Sequence, residues 1–229
     1  MTKLSVIIPV YNEKRTLLKL LEKVKKVDLG DIKKEILIVD DFSTDGTRDI
    51  LKKINDPKIK IFFHKKNYGK GIAIRTALKN ITGDIVIIQD ADMEYDPNDY
   101  SNLIKPIIDG RAEVVYGNRF HKGHNPKYIV YYLGNILLSV ITGLLYRNKV
   151  SDIETCYKVI KREVYNNINL RAKRFDFEPE ITAKILKKGY KIYEVPIWYR
   201  CRDFKEGKKI NWRDGIEAIW TLVRYRFSN

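Results

Sequence analysis

Short runs of Val and Ile that alternate with amphipathic stretches restrict this chain more than any other feature of its sequence. The run at 4–10 is followed by 14–27, where Leu17, Leu20, Leu21 and Val24 recur at helical spacing. The pattern repeats, with a run at 35–39 before a helix from about Thr44, one at 59–63 before a helix from about Lys70, and one at 85–88 before a helix from about Pro97. Residues 114–116 read as a fifth strand. Strands that are apolar on both faces must be covered on both, and strands joined through helices pair in parallel. Residues 1–118 therefore read as an α/β unit of the nucleotide-binding kind, with a Rossmann-like, mostly parallel sheet flanked by helices. A chain of 229 residues has room for one sizeable core, so a single domain over 1–229 is expected.

The remainder is less regular. Residues 128–146 approach membrane-spanning length, but Gly134, Asn135, Ser139, Thr142 and Gly143 dilute them, so the segment reads as a helix that packs on the domain or lies at an interface. A strand at 155–160, a helix at 177–188 and a strand at 191–199 follow. The closing helix, 214–227, puts Ile216, Ile219, Trp220, Val223 and Phe227 on one face flanked by Arg213, Arg224 and Arg226, and packing of that face on the core is the simpler reading. The start runs directly into a strand with no charged leader or cleavage site, so no signal peptide is expected. Cys156 and Cys201 are too few and too far apart for a disulfide framework or a metal site, which points to free thiols in a reducing compartment. The 44 Lys and Arg against 29 Asp and Glu, net +15, gather in the last third. Such an excess fits a polyanionic partner (nucleic acid, anionic lipid or phosphorylated substrate), or only a well-solvated surface.

Ligands of open parallel sheets bind beyond the carboxyl ends of the strands, and two acidic sets fall there. The first is Asp40-Asp41, followed by Ser43, Thr44, Asp45 and Gly46. Capping accounts for Ser43, Thr44 and Asp45 but not for two adjacent carboxylates, one of which must point inward, where it can accept hydrogen bonds from a base or ribose. The second is Asp90-Ala91-Asp92-Met93-Glu94, whose alternating acids share one face if the chain stays extended. Three like charges on one face repel unless a divalent cation neutralises them, and oxygen-only ligands suit Mg²⁺ or Mn²⁺ shared with substrate phosphates.

With these motifs in order, from Ile8-Pro9-Val10-Tyr11-Asn12-Glu13 through Asn67-Tyr68-Gly69-Lys70-Gly71 and Asp90-Ala91-Asp92 to Gly117-Asn118-Arg119, the chain resembles glycosyltransferase family 2 of the GT-A fold. Within that family it is similar to the polyprenyl- and dolichyl-phosphate sugar synthases. The resemblance implies that Pro9, Tyr11, Glu13, Asp40, Asp41, Lys70, Asp90 and Ala91 meet the nucleotide and that Asp90, Asp92 and Glu94 hold the metal. It makes 119–229 the acceptor-side half, with interfacial helices. Asp152, in the motif at 151–158, is the matching acceptor-side carboxylate, paired with Arg119 as a catalytic candidate. It acts as general base toward a hydroxyl acceptor, as a positioning group toward a phosphate acceptor, or only as a cap. Arg119, Arg202 and Lys208 are the candidates for binding an acceptor phosphate. The chain departs from the group at Thr155-Cys156-Tyr157 and Glu206-Gly207-Lys208-Lys209, so the resemblance implies the reaction type more firmly than mannose or dolichol.

The expected function is thus an inverting, metal-dependent hexosyltransferase that moves a sugar from a nucleotide-sugar donor, GDP-mannose or a UDP-sugar, to a polyprenyl or dolichyl phosphate. It is expected to be peripheral on the cytoplasmic face of an anionic membrane surface. A soluble saccharide or protein acceptor is the alternative. A phosphatase would carry its nucleophilic Asp after the first strand, and a nucleotidyltransferase would open with a Gly-rich loop there; this chain has neither. No nucleic-acid partner is expected, because no reading motif accompanies the basic charge and its aromatics do not interleave with the basic cluster.

Overall fold

The computed structural model describes residues 2–120, 129–202 and 212–228. Among them a seven-stranded sheet runs in the order β3-β2-β1-β4-β6-β5-β7. Its strands are β1 (Lys3–Val10), β2 (Lys33–Asp40), β3 (Ile59–Phe63), β4 (Ile85–Ile88), β5 (Val114–Asn118), β6 (Lys158–Lys161) and β7 (Ile192–Pro196). β1 pairs in parallel with β2 and β4, β2 with β3, and β5 with β7. The apolar residues of β1, β2 and β4 are buried, as strands covered on both faces require. The covering helices are α1 (Leu17–Lys26), α2 (Thr47–Lys52), α3 (Lys70–Leu78), α4 (Tyr100–Ile108, after a 3₁₀ turn at Pro97–Asp99), α5 (Ile129–Tyr146), α6 (Arg162–Asn166), α7 (Phe177–Lys187) and α8 (Trp212–Phe227). α1 buries Leu17, Leu20, Leu21 and Val24, the stripe read from spacing.

β6 departs from the parallel rule. It lies antiparallel between β4 and β5, with Ile87 opposite Val159 and Tyr116 opposite Lys158. Reversal puts the loop before β6, rather than after it, at the carboxyl ends of its neighbours. The motif at 151–158 reaches the functional edge of the sheet for this reason.

α5 and α8 pack together, with the Tyr146 hydroxyl donating to the Leu222 carbonyl at 2.7 Å. α8 does not bury the face that packing on the core would have required. Ala218, Thr221, Leu222 and Tyr225 face the core, while Ile216, Trp220 (64%) and Phe227 (80%) are exposed. α5 likewise buries Asn135, Leu138 and Thr142 and exposes Val130 (79%), Leu133, Leu137, Val140 and Leu144 (78%). Among the described residues no helix is long and apolar enough to cross a membrane.

The opposite edge of the sheet is held by Glu35. Its carboxylate accepts from the Ser5 hydroxyl (2.6 Å), the Thr82 amide and hydroxyl, the Gly83 amide and the Lys3 and Lys60 ammonium groups. Burial opposes the charge, but the Ser5 and Thr82 hydrogen bonds outweigh it and hold the carboxyl well below the usual range. Glu35→Ala should therefore cost roughly 2–3 kcal/mol at pH 7, because buried donors lose their acceptor. A depressed folded pKa contributes stability above the unfolded value of about 4.3 and loses it as pH falls below that. Urea unfolding of both proteins from pH 7 to pH 3 should show the difference shrinking below about pH 4; a pH-independent difference would show that charge is not its source.

Candidate active site

A cavity of about 460 Å³ opens at the carboxyl ends of β1, β2 and β4. One end is lined by Pro9, Val10, Tyr11, Asp41, Asn67, Gly69 and Ala73. Asp41 is the member of the acidic pair that faces in. Its carboxylate accepts from the Tyr68 amide (2.9 Å) and the Gly69 amide (2.7 Å), and the His64 ring lies 2.7 Å from it. Asp40, expected at the nucleotide, is instead turned into the fold, paired with Arg48 at 3.0 Å and accepting from the Ser43 amide, and it does not line the cavity. Gly69 is required here: its φ is +99°, and a Cβ would collide with the Lys173 carbonyl oxygen.

The centre of the cavity is acidic. Asp90, Ala91, Asp92 and Glu94 line it together with Glu13 and Lys70. The chain does not stay extended through them. Residues 91–94 turn, and Met93 takes a left-handed φ of +65°, so the acids line the cavity from a turn and not from one extended face. Protein cations explain where each group points. Asp90 meets Lys70 at 2.9 Å; Asp92 meets Arg202 at 2.9 Å; and Glu94 accepts from the Tyr199 hydroxyl (3.0 Å) and the Arg202 amide (2.9 Å). Among the described residues no three His, Cys, Asp or Glu side chains converge as a ready ligand set. What remains fits Mg²⁺ or Mn²⁺ all the same, because such ions take one or two carboxylates and complete their shell with substrate phosphates and water. Burial, with Asp90 and Glu94 nearby, raises the Asp92 carboxyl to about 7.

Arg202 was expected beside an acceptor phosphate. It lies against Asp92, Glu94 and Glu13 in the acidic centre of the cavity instead. Lys208 lies outside the described residues.

The far end is lined by Arg119, Phe120, Tyr132, Asn135, Glu154, Arg174, Phe175, Glu178 and Tyr199. Asp152 is absent from that lining. It is fully buried and grips Arg119 through Nε (2.8 Å), Nη2 (2.7 Å) and the backbone amide (3.0 Å). Burial works against the Arg119 charge, but Asp152 outweighs it and raises the pKa well above its ordinary value. The Phe120 and Tyr199 rings, each 5.1 Å away, fix the guanidinium further. Sequence reasoning missed Glu154 and Glu178. Glu154 sat inside the motif read for Asp152. Glu178 stands in α7, buried from Phe177 to Leu186, and charged residues in so apolar a setting were the available signal.

A mostly parallel sheet with a cavity across its strand ends, acidic at the centre and basic toward one end, defines a nucleotide-dependent transferase of the α/β type. The family described as Glycosyl transferase family 2 matches residues 5–168, and the chain belongs to it. It is 28% identical over 211 residues to dolichol-phosphate mannosyltransferase of Pyrococcus furiosus, covering 90% of this chain and 59% of that protein. It is 28% identical over 242 residues to UDP-N-acetylglucosamine–dolichyl-phosphate N-acetylglucosaminyltransferase of Methanococcus voltae, covering 95% of this chain and 94% of that protein. Among solved structures, glucosyl-3-phosphoglycerate synthase from Mycobacterium tuberculosis, in complex with Mn²⁺, UDP and phosphoglyceric acid, superposes with a TM-score of 0.75 at 19% identity, over 100% of this chain and 80% of that one. That likeness establishes the GT-A fold.

The Asp152–Arg119 pair separates two roles. Asp152→Ala leaves a buried cation without its partner and should cost about 3–5 kcal/mol, lowering the melting temperature together with activity. A general base would instead lose activity at unchanged stability, and that outcome in thermal unfolding would overturn the positioning role.

Proposed function

We propose that this chain transfers a hexose from a nucleoside diphosphate donor to the phosphate of a polyprenyl or dolichyl lipid at a membrane surface, with inversion at the anomeric carbon. One observation carries the acceptor. α5 forms a wall of the cavity through Tyr132 and Asn135, while its outer face presents Val130, Leu133, Leu137, Val140 and Leu144 to the surroundings. A lipid phosphate held by that face in a bilayer has a direct approach to Arg119. The two dolichyl-phosphate relatives support the same acceptor.

The chemistry follows from the residues. The base and ribose rest against Pro9, Tyr11 and Asp41, and Arg202 with Lys70 faces the diphosphate. Asp92 and Asp90 would hold the divalent ion, which when bound supplies charge neutralisation for the departing diphosphate. An oxygen of the lipid phosphate forms a bond to the anomeric carbon as the bond from that carbon to the diphosphate oxygen breaks, and the nucleoside diphosphate leaves with the electron pair. A phosphate oxygen needs no base, so Asp152 serves by holding Arg119, which positions the acceptor against electrostatic repulsion from the donor.

Asp92→Asn should abolish the Mn²⁺-dependent part of UDP or GDP binding in titration calorimetry while leaving the fold intact; unchanged metal-dependent binding would remove the assignment. The membrane reading has its own test. Arg147, Lys149, Arg224 and Arg226 flank the apolar faces of α5 and α8 and are exposed, and each basic group near anionic lipid is worth about 1 kcal/mol. The protein should co-sediment with phosphatidylserine vesicles at low salt and be largely released at high salt without detergent. Absence of binding at any salt would move the acceptor to a soluble phosphorylated compound or saccharide.

A further inference from the structure

The outward side of α3 carries a second cavity, of about 340 Å³, that shares no lining residue with the first. It is lined by His64, Tyr68, Ile72, Arg75, Thr76 and Lys79. Positions 72, 75, 76 and 79 follow the spacing that puts side chains on one face of a helix, turned away from the buried Gly71, Ala73, Ile74 and Ala77. His64 and Tyr68, from the segment between β3 and α3, close the other side, their rings edge to face with centroids 5.2 Å apart. The imidazole is held at both nitrogens, 3.0 Å from Thr76 Oγ1 and 2.7 Å from Asp41 Oδ1. Asp41 lines the first cavity, so His64 is a fixed partition between the two.

We propose that this cavity is a second anion site, which takes a soluble phosphorylated compound with its phosphate groups against Arg75 and Lys79 and its apolar part against Tyr68 and Ile72. The inference does not depend on the transfer proposed above. No carboxylate lines the cavity. Arg75 spends one hydrogen bond, from Nη1 to the Arg171 carbonyl at 3.2 Å, of the five N–H groups that a guanidinium carries. Lys79 is exposed, and its ammonium has no hydrogen-bond or ion-pair partner among the described residues. Lys66 adds a further ammonium 5.3 Å from the centre of the Tyr68 ring. Cations near the C-terminal end of a helix suit its dipole, which accounts for Arg75 and Lys79 as charges but not for a cavity walled by a fixed imidazole and a phenol. Charge-assisted hydrogen bonds to phosphate oxygens satisfy the unspent donors. The source is a soluble compound and not a lipid headgroup, because α3 packs on β1 and β2, whereas α5 and α8, which expose apolar faces, pack on each other and on α7.

Pyrophosphate is the probe, titrated by calorimetry at low, fixed ionic strength with EDTA present, so that no divalent ion draws it to the acidic centre of the first cavity. The wild-type protein should bind it, and Arg75→Ala with Lys79→Ala should weaken that binding at least about tenfold, since two charged donors are lost. Lys52→Ala with Lys53→Ala removes the same charge from exposed positions of α2 and its end, and should change the affinity by less than about twofold. Lys79→Glu alone, at the exposed end of α3, should reproduce the loss without touching the Arg75 contact to the Arg171 carbonyl. UDP and GDP with Mn²⁺ should bind the Arg75→Ala, Lys79→Ala protein within about twofold of the wild type. No pyrophosphate binding by the wild type at millimolar concentration, or equal loss in the Lys52, Lys53 control, would overturn the proposal. So would an affinity that the α3 substitutions leave unchanged, which would put pyrophosphate in the first cavity, or a matching loss of UDP and GDP binding, which would show that the two cavities are not separate sites.

Discussion

Carboxylates from five segments meet in one cavity: Glu13 after β1, Asp41 after β2, Asp90, Asp92 and Glu94 after β4, Glu154 before β6 and Glu178 in α7. Gathered in a protein interior, such groups repel one another strongly, and the surrounding structure is an answer to that repulsion. Asp41 is hydrogen-bonded by two backbone amides and lies against the His64 ring, while Asp90 is paired with Lys70 and Asp92 with Arg202. Asp152, behind the wall, and Arg119, on it, settle their charges on each other. A diphosphate brings still more negative charge. On the proposed function the donor arrives with a divalent cation, and the protein's own arginines and lysine share the work of receiving it.

The opposite edge of the sheet shows the same physics used for stability. Glu35 is as buried as the acids of the cavity, yet hydroxyls, amides and two lysines satisfy its lone pairs, and it does not line that cavity. A satisfied buried carboxylate stiffens the fold, whereas Glu154 and Glu178 each keep a buried oxygen with no hydrogen-bond partner among the described residues. The distinction is made by partners and not by burial.

How much of this was legible depended on what each pattern encodes. Period and apolar content located β1 to β5 and the buried stripe of α1, because both follow from which side of an element faces the core. They do not encode direction, so β6 was readable as a strand but not as an antiparallel one. The alternation of Asp90, Asp92 and Glu94 promised one acidic face, and the left-handed turn at Met93 undid it, since nothing in a methionine announces a positive φ. In α8 the most apolar face had two readings, lying at a membrane surface or packing on the core. Ala218, Thr221 and Leu222 pack there instead, and the more apolar Ile216, Trp220 and Phe227 remain outside, as they do on a helix with a second apolar surface to meet. The short α6 gave no periodic signal at all over Arg162–Asn166. Asp152 was visible as a carboxylate in a motif, but its engagement with Arg119 is a long-range contact across 33 positions that local pattern does not carry.

The central claim is the transfer itself: donor sugar to lipid phosphate, at the membrane, with inversion. It is tested most directly by incubating the protein with vesicles containing dolichyl phosphate, Mn²⁺ and an α-linked sugar nucleotide labelled in the sugar, then examining the extracted lipid by mass spectrometry and NMR. The account predicts that label enters the lipid fraction as a β-linked sugar phosphate, with one nucleoside diphosphate released for each sugar transferred. Retained α configuration, or label that stays in the aqueous phase as free sugar or a soluble product, would contradict it.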